Sequence, residues 1–140
     1  MTENFKIIGS FIRDMSSETP DAQTYIFVRD KISKYLLKID INSKAVKNGI
    51  IEIDMILKFD DQPEILKKSH FEITYTSIIK VDEKVKDKKE MEKIILCDVP
   101  NKVYPTLEKI FLNLLTDSGY PGIKFEKKVD FTELYKQKSN

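Results

Sequence analysis

The chain has 140 residues, 34% of them charged and 41% hydrophobic, with a formal net charge of +1 at pH 7. That length supports a single domain over residues 1–140, since a chain of this size buries roughly two-thirds of its unfolded surface. The composition argues against nucleic acid, which needs a basic excess, and against direct membrane insertion, because no apolar run approaches the roughly 20 residues of a spanning helix.

At the start, Met1-Thr2-Glu3-Asn4-Phe5-Lys6 lacks both a basic segment and a continuous apolar run, so a signal peptide is not expected and a cytoplasmic location is. Residues 5–17 read as a first strand. Residues 20–33 form a long connection without clean periodicity that still carries Tyr25, Ile26, Phe27, Val28 and Ile32, and long apolar loops are often functional. A second strand over 35–43 follows from Leu37, Ile39 and Ile41 alternating with Lys38, Asp40 and Asn42. Residues 50–59 repeat the pattern, with Ile51, Ile53, Met55, Leu57 and Phe59 on one side, and residues 70–81 do so with Phe71, Ile73 and Tyr75. Asn48-Gly49 and Asp60-Asp61-Gln62-Pro63 supply turn chemistry between these strands, which favours an antiparallel meander. The densely charged residues 82–93 read as a solvated helix face or loop.

From Pro105 the period becomes helical: Leu107, Ile110, Phe111, Leu114 and Leu115 share a stripe, with Pro105 suited to the first turn and Gly119 to the C-terminal cap. Asp130 with Glu133 resembles a capping box ahead of a shorter helix through Leu134 and Tyr135. The fold class is therefore α+β: a four-stranded antiparallel sheet followed by helices packed on one face.

Catalytic and cofactor chemistry is not expected. The lone histidine, His70, sits in a strand, and the lone cysteine, Cys97, sits in the apolar run Ile94-Ile95-Leu96-Cys97, so no zinc cluster or nucleophile–base pair is written. Four glycines, Gly9, Gly49, Gly119 and Gly122, are too scattered for a phosphate-binding loop. Glu52 and Asp54, two apart on one strand face, read as solvated positions. The lysines between 84 and 93 are interleaved with Asp87, Glu90 and Glu92, which argues against nucleic acid there.

Three stretches carry a family resemblance. They are Phe11-Ile12-Arg13-Asp14-Met15-Ser16-Ser17-Glu18-Thr19-Pro20-Asp21-Ala22; the pair Leu37-Lys38-Ile39-Asp40-Ile41 and Ile51-Glu52-Ile53-Asp54-Met55 with Phe71-Glu72-Ile73; and Pro100-Asn101, Tyr104-Pro105, Gly119-Tyr120-Pro121 and Val129-Asp130-Phe131 through Leu134-Tyr135. Jointly they are similar to the SecB export-chaperone family over about residues 5–135. The resemblance implies a dimer of dimers acting as an ATP-independent holdase, with no enzymatic activity and no cofactor, that binds unfolded precursor proteins and delivers them to the SecA motor. It also implies a SecA-docking surface at Asp14, Glu18 and Glu72. Positions that influence the dimer–tetramer balance in the family match Phe71, Ile73 and Tyr75, to which the main helix would add Leu107, Phe111 and Leu115 as a homotetramer interface.

Clients are expected in a groove. One wall would be Tyr25, Phe27 and Ile32; the other would be Tyr120, Ile123 and Phe125 with Phe131, Leu134 and Tyr135. Two alternatives stand beside this reading: a SecB-like chaperone dedicated to a toxin–antitoxin pair, and a small-ligand-binding or enzymatic α+β domain, which would show one enclosed pocket with convergent polar groups.

Overall fold

The computed structural model describes residues 4–60, 68–125 and 129–138. Four long strands, β1 (Phe5–Glu18), β2 (Leu36–Lys47), β3 (Ile50–Asp60) and β4 (His70–Val81), form one antiparallel sheet. Helix α1 (Ala22–Arg29) lies between β1 and β2, and α2 (Lys88–Lys93), α3 (Val99–Asp117) and α4 (Phe131–Lys138) follow β4.

Alternation decided β2, β3 and β4, and their observed limits agree with it closely. The β2–β3 hairpin closes on Asn48 and Gly49, both at positive φ (56° and 77°), which is the two-residue turn that matches strand twist. The other turn residues, 61–63, lie outside the described residues. Strand order is β1-β4-β3-β2, so only β2, β3 and β4 form the meander and β1 lies beside β4 at the sheet edge.

The inward residues Ile53, Met55, Leu57 and Phe59 of β3 and Phe71, Ile73 and Ile79 of β4 are buried. They face Leu107, Phe111 and Leu115 of α3, a stripe four residues apart that lies along one side of the helix. Each fully buried side chain of this kind contributes about 1.5–3 kcal/mol.

Two helices differ from expectation. Residues 22–29 are not loop but α1, capped by Asp21, whose carboxylate accepts from the Thr24 amide at 2.7 Å, and a 3-10 turn (Ile32–Lys34) follows. Only Thr24 and Val28 of α1 are buried, so a two-turn helix displays a single i, i+4 repeat, too little to register as a period. Helix α3 begins six residues before Pro105 and runs through it. Before α3 the chain makes a π turn (Ile94–Asp98), continuous with α2, none of whose residues is buried. Cys97 is buried in that turn. At the other end Gly119, at φ +104°, ends α3, and a Cβ there would stand 2.6 Å from the Tyr25 ring.

Gly119→Ala should therefore lower the free energy of unfolding by about 1–3 kcal/mol, combining backbone strain with displacement of α1. Urea unfolding against the parent measures it; an unchanged midpoint would show that α1 does not depend on this close approach.

Candidate functional site

The outward face of the sheet gathers the three expected acidic residues. Across the β1–β4 pair Asp14 lies opposite Thr74, Ser16 opposite Glu72, and Glu18 opposite His70, so Asp14, Glu18 and Glu72 share one face within three rows. Glu72 sits between two bases, 3.6 Å from Lys58 Nζ and 3.8 Å from His70 Nε2. His70 opens the inner strand β4 and projects onto this face.

Beside this patch is a network that the sequence did not disclose. Arg13 Nη2 is 2.8 Å from Glu52 Oε1; Arg13 Nε donates to Thr76 Oγ1 at 3.0 Å, and the buried Thr76 hydroxyl donates to Asp54 Oδ1 at 2.6 Å. Glu52 and Asp54 are thus partnered across two strands and are no acid–base pair. Among the described residues no three His, Cys, Asp or Glu side chains converge as metal ligands.

The expected groove does not assemble as drawn. Tyr25 is half-buried, donating from its hydroxyl to the Gly119 carbonyl at 2.8 Å, with its ring 5.2 Å from that of Tyr120. Tyr120 and Ile32 are core residues, and Tyr120 shares a hydrogen bond with the buried Ser69 hydroxyl at 3.0 Å. Ile123 and Phe125 are partly buried, Phe125 lying 5.6 Å from Phe59 and 6.3 Å from Phe111.

Helix α4 is elsewhere. Its buried Phe131 meets Tyr104 at 5.4 Å, and Tyr135 donates to the Lys89 carbonyl at 3.3 Å. Tyr104 and Gly119 are fifteen residues apart on the α3 rod, about 22 Å at the helical rise, so Phe131, Leu134 and Tyr135 do not face Tyr25 and Phe27. What α1 does present to solvent is Ile26 and Phe27, 54% and 37% exposed, with Lys31 Nζ 5.7 Å from the Phe27 ring centroid. Leu134 is exposed on α4.

The expected oligomer interface is corrected in the same way. Phe71, Ile73, Leu107, Phe111 and Leu115 are each 0% exposed within the single chain, where they pack against one another, so they have no surface left for a partner. Tyr75 alone of that set stays partly exposed. Exposed apolar side chains are found instead on β1, at Ile8, Phe11, Ile12 and Met15.

The family model described as preprotein translocase subunit SecB matches residues 1–140. The chain belongs to the SecB family. It is 85% identical, over the whole of both chains, to a Pelagibacter ubique protein provisionally named protein-export protein SecB. It is also 27% identical to the protein-export protein SecB of Dinoroseobacter shibae, covering 94% of this chain and 76% of that one. Among solved structures, a SecB-like chaperone of Mycobacterium tuberculosis in complex with a ChAD peptide from an antitoxin superposes with a TM-score of 0.62. That match has 10% identity and covers 90% of this chain and 91% of the other, which establishes a shared fold. SecB proteins are chaperones of protein export and not enzymes, and the α+β sheet-and-helix architecture found here is the SecB-like one. Among the described residues no helix is long and apolar enough to cross a membrane.

Among the described residues of this SecB fold, one buried side-chain polar atom lacks a well-formed hydrogen bond. It is the Tyr104 hydroxyl, at the α3–α4 contact, which has no hydrogen bond of good geometry and only the nearby Glu108 carboxylate as a weaker polar neighbour. Burial first, and then the negative charge of Glu108, raises its pKa well above the ordinary tyrosine value. A raised folded-state pKa means that stability is unaffected below the unfolded value of about 10 and falls as pH climbs above it, where only the unfolded chain ionises readily. Tyr104→Phe should leave stability at pH 7 equal or higher by about 1 kcal/mol and should flatten the decline above pH 10. Thermal melts at pH 7 and 10.5 test both; a parent-like alkaline decline in the variant would assign it to other groups.

Proposed function

We propose that this SecB-family chaperone holds unfolded precursor proteins in the cytoplasm without ATP, as a homotetramer, and hands them to SecA. The observation that carries the holding step is the outward placement of Ile26 and Phe27 on α1, beside the half-buried Tyr25. Apolar side chains left in solvent on an ordered helix attract the apolar segments of an unfolded chain without demanding one sequence, since hydrophobic contact is non-directional. Lys31 beside the Phe27 ring keeps that surface hydrated until a client covers it. Helix α4, with exposed Leu134, offers a second, separate contact at the far end of α3.

Delivery uses the opposite face of the sheet. The exposed Asp14 and Glu18, with Glu72 between its two bases, form an acidic patch that steers a basic docking surface, and client and SecA thereby occupy different sides of the molecule. Neither cofactor nor nucleotide enters this reading.

The double variant Ile26→Ser/Phe27→Ser, altered at exposed positions, should keep the fold and oligomer but need several-fold more chaperone to suppress aggregation of a denatured precursor, read by light scattering without ATP. Undiminished protection would remove α1 as the client surface. Protection of a single antitoxin segment and of no general precursor would favour the dedicated reading, for which the M. tuberculosis fold neighbour's peptide complex is the precedent.

Reversing charge at Asp14→Lys/Glu18→Lys should weaken SecA binding about tenfold at low salt while leaving aggregation suppression intact. Equal SecA affinity in calorimetry would place docking elsewhere.

A further inference from the structure

Residues paired across strands share a face of the sheet, so the register sets the outward face in rows. The first row, at the end where β1 begins and β4 closes, is Lys6, Lys80, Ile50 and Lys47. The next is Gly9, Ile78, Glu52 and Lys44. All four lysines are exposed, and Lys6 stands directly opposite Lys80. Like charges so placed repel and weaken the pairing.

Among the described residues no ion pair engages Lys6, Lys44, Lys47 or Lys80. Glu52, the acid of the second row, is held 2.8 Å from Arg13 Nη2, and Asp54 in the third row is taken up by Arg13 and the Thr76 hydroxyl. Just past β4, Asp82 and Glu83 are matched in number by Lys84 and Lys86, and the Asp82 carboxylate accepts from the Lys84 amide at 2.9 Å. The acidic patch at Asp14, Glu18 and Glu72 is too distant to help. Lys80 and Glu72 are eight residues apart on β4, about 26 Å, whereas exposed charges are screened within about 8 Å at physiological salt. The outward face thus has a basic end and an acidic end, with the Arg13 network between them.

We propose that the basic end docks on an anionic lipid surface without entering it. The two rows extend over all four strands, three spacings of about 4.8 Å, so the lysines meet a plane and not a thread. Lysine is a flexible point charge that takes a phosphate in many orientations, and the planar fork that reads one fixed geometry belongs on this face to Arg13 alone, which is already held. No aromatic side chain stands in either row for a nucleic-acid base to stack on. Mobile headgroups instead gather under the charges at whatever spacing these have, and each lysine near an anionic leaflet adds to binding. Ile50, half-buried in the first row, and Val46, 50% exposed beside the hairpin turn, add apolar contact at headgroup level. With a net charge of only +1 the whole molecule is scarcely drawn to such a surface, so its two-ended face does the orienting. The lipid repels the acidic patch, which points away and stays open to a partner. The proposal does not depend on which client or motor the chaperone serves.

Co-sedimentation of the full chain with lipid vesicles tests it. The parent should pellet with vesicles of phosphatidylglycerol and phosphatidylcholine, lose about tenfold in affinity as salt rises from about 0.05 M to about 0.3 M, and ignore vesicles of phosphatidylcholine alone. Lys47→Gln/Lys80→Gln should bind about tenfold more weakly, and Lys44→Gln/Lys47→Gln, confined to the hairpin, should repeat the loss. Lys88→Gln/Lys109→Gln, which removes the same charge from exposed positions on α2 and α3, should bind like the parent. Losing Lys80 relieves its repulsion with Lys6, so the first variant should melt at or above the parent's temperature, which separates lost binding from lost folding. A parent that does not pellet with the anionic vesicles, or pellets equally with the neutral ones, overturns the proposal. Equal weakening in the Lys88/Lys109 variant would assign binding to net charge and overturn the row, and tighter binding to a single-stranded RNA than to the vesicles would overturn lipid as the occupant.

Discussion

A single helix is too narrow for this sheet. With side chains α3 is about 10–12 Å across, whereas four strands about 4.8 Å apart make a wider surface. The helix lies over β3 and β4, whose inward residues are consequently the most buried of the molecule. The segment after α3 extends the layer over the ends of β4 and β3: Tyr120 lies against Phe71, and Phe125 against Phe59. On the β1 side no element among the described residues does the same for Ile12 and Met15, which remain exposed on the inward face. The bare edge, the acidic outward face and the outward residues of α1 are what remain once α3 has been placed.

Placement of α3 also orders the rest. Its C-terminal end is closed by Gly119 against Tyr25, which fixes α1, and the Ser17 and Ser118 hydroxyls share a hydrogen bond at 2.6 Å that joins β1 to the same end. Its N-terminal end receives α4 through Phe131 on Tyr104, and through Thr132, which shares a hydrogen bond with Cys97 at 3.4 Å and accepts one from Asn101 at 3.2 Å. Two candidate client surfaces thus sit at opposite ends of one rod, which is why the single groove expected from sequence separates into two.

What the sequence could disclose follows the same physics. Strands β2 to β4 bury one face, so period-two alternation announced them, and Asn48-Gly49 announced the hairpin because only residues tolerant of positive φ serve there. Alternation tells which face is buried but not by what. Phe71 and Ile73 were read as meeting another copy when Phe111 and Leu115 of the same chain already cover that side. The helix start placed at Pro105 was misleading because a proline interrupts only one intrahelical hydrogen bond, here that of the Asn101 carbonyl, and Asn101 is exposed to water. Arg13 could not be paired with Glu52 and Asp54 in advance, since that contact exists only in the register of three strands. Asp14, Glu18 and Glu72 were singled out through resemblance alone, and the register places them on one face.

The two edges of the sheet are guarded differently, and the difference has a consequence for a protein that handles unfolded chains. Edge strand β2 carries Lys38, Asp40, Lys44 and Lys47, and its longest uncharged run is the three residues 41–43. Charged side chains, lysine above all, discourage another strand from adding. Edge strand β1 has six uncharged residues in succession, Ile7-Ile8-Gly9-Ser10-Phe11-Ile12, and an apolar edge of that kind is open to any extended client. Its two bulges supply the missing guard, because a regular strand laid along β1 is one residue short at Ile8 and again at Arg13, and every inward–outward match is reversed at each slip. Only a strand with the same two extra residues at the same spacing keeps its faces aligned throughout. Charge thus guards β2 against strand addition, whereas backbone geometry guards β1.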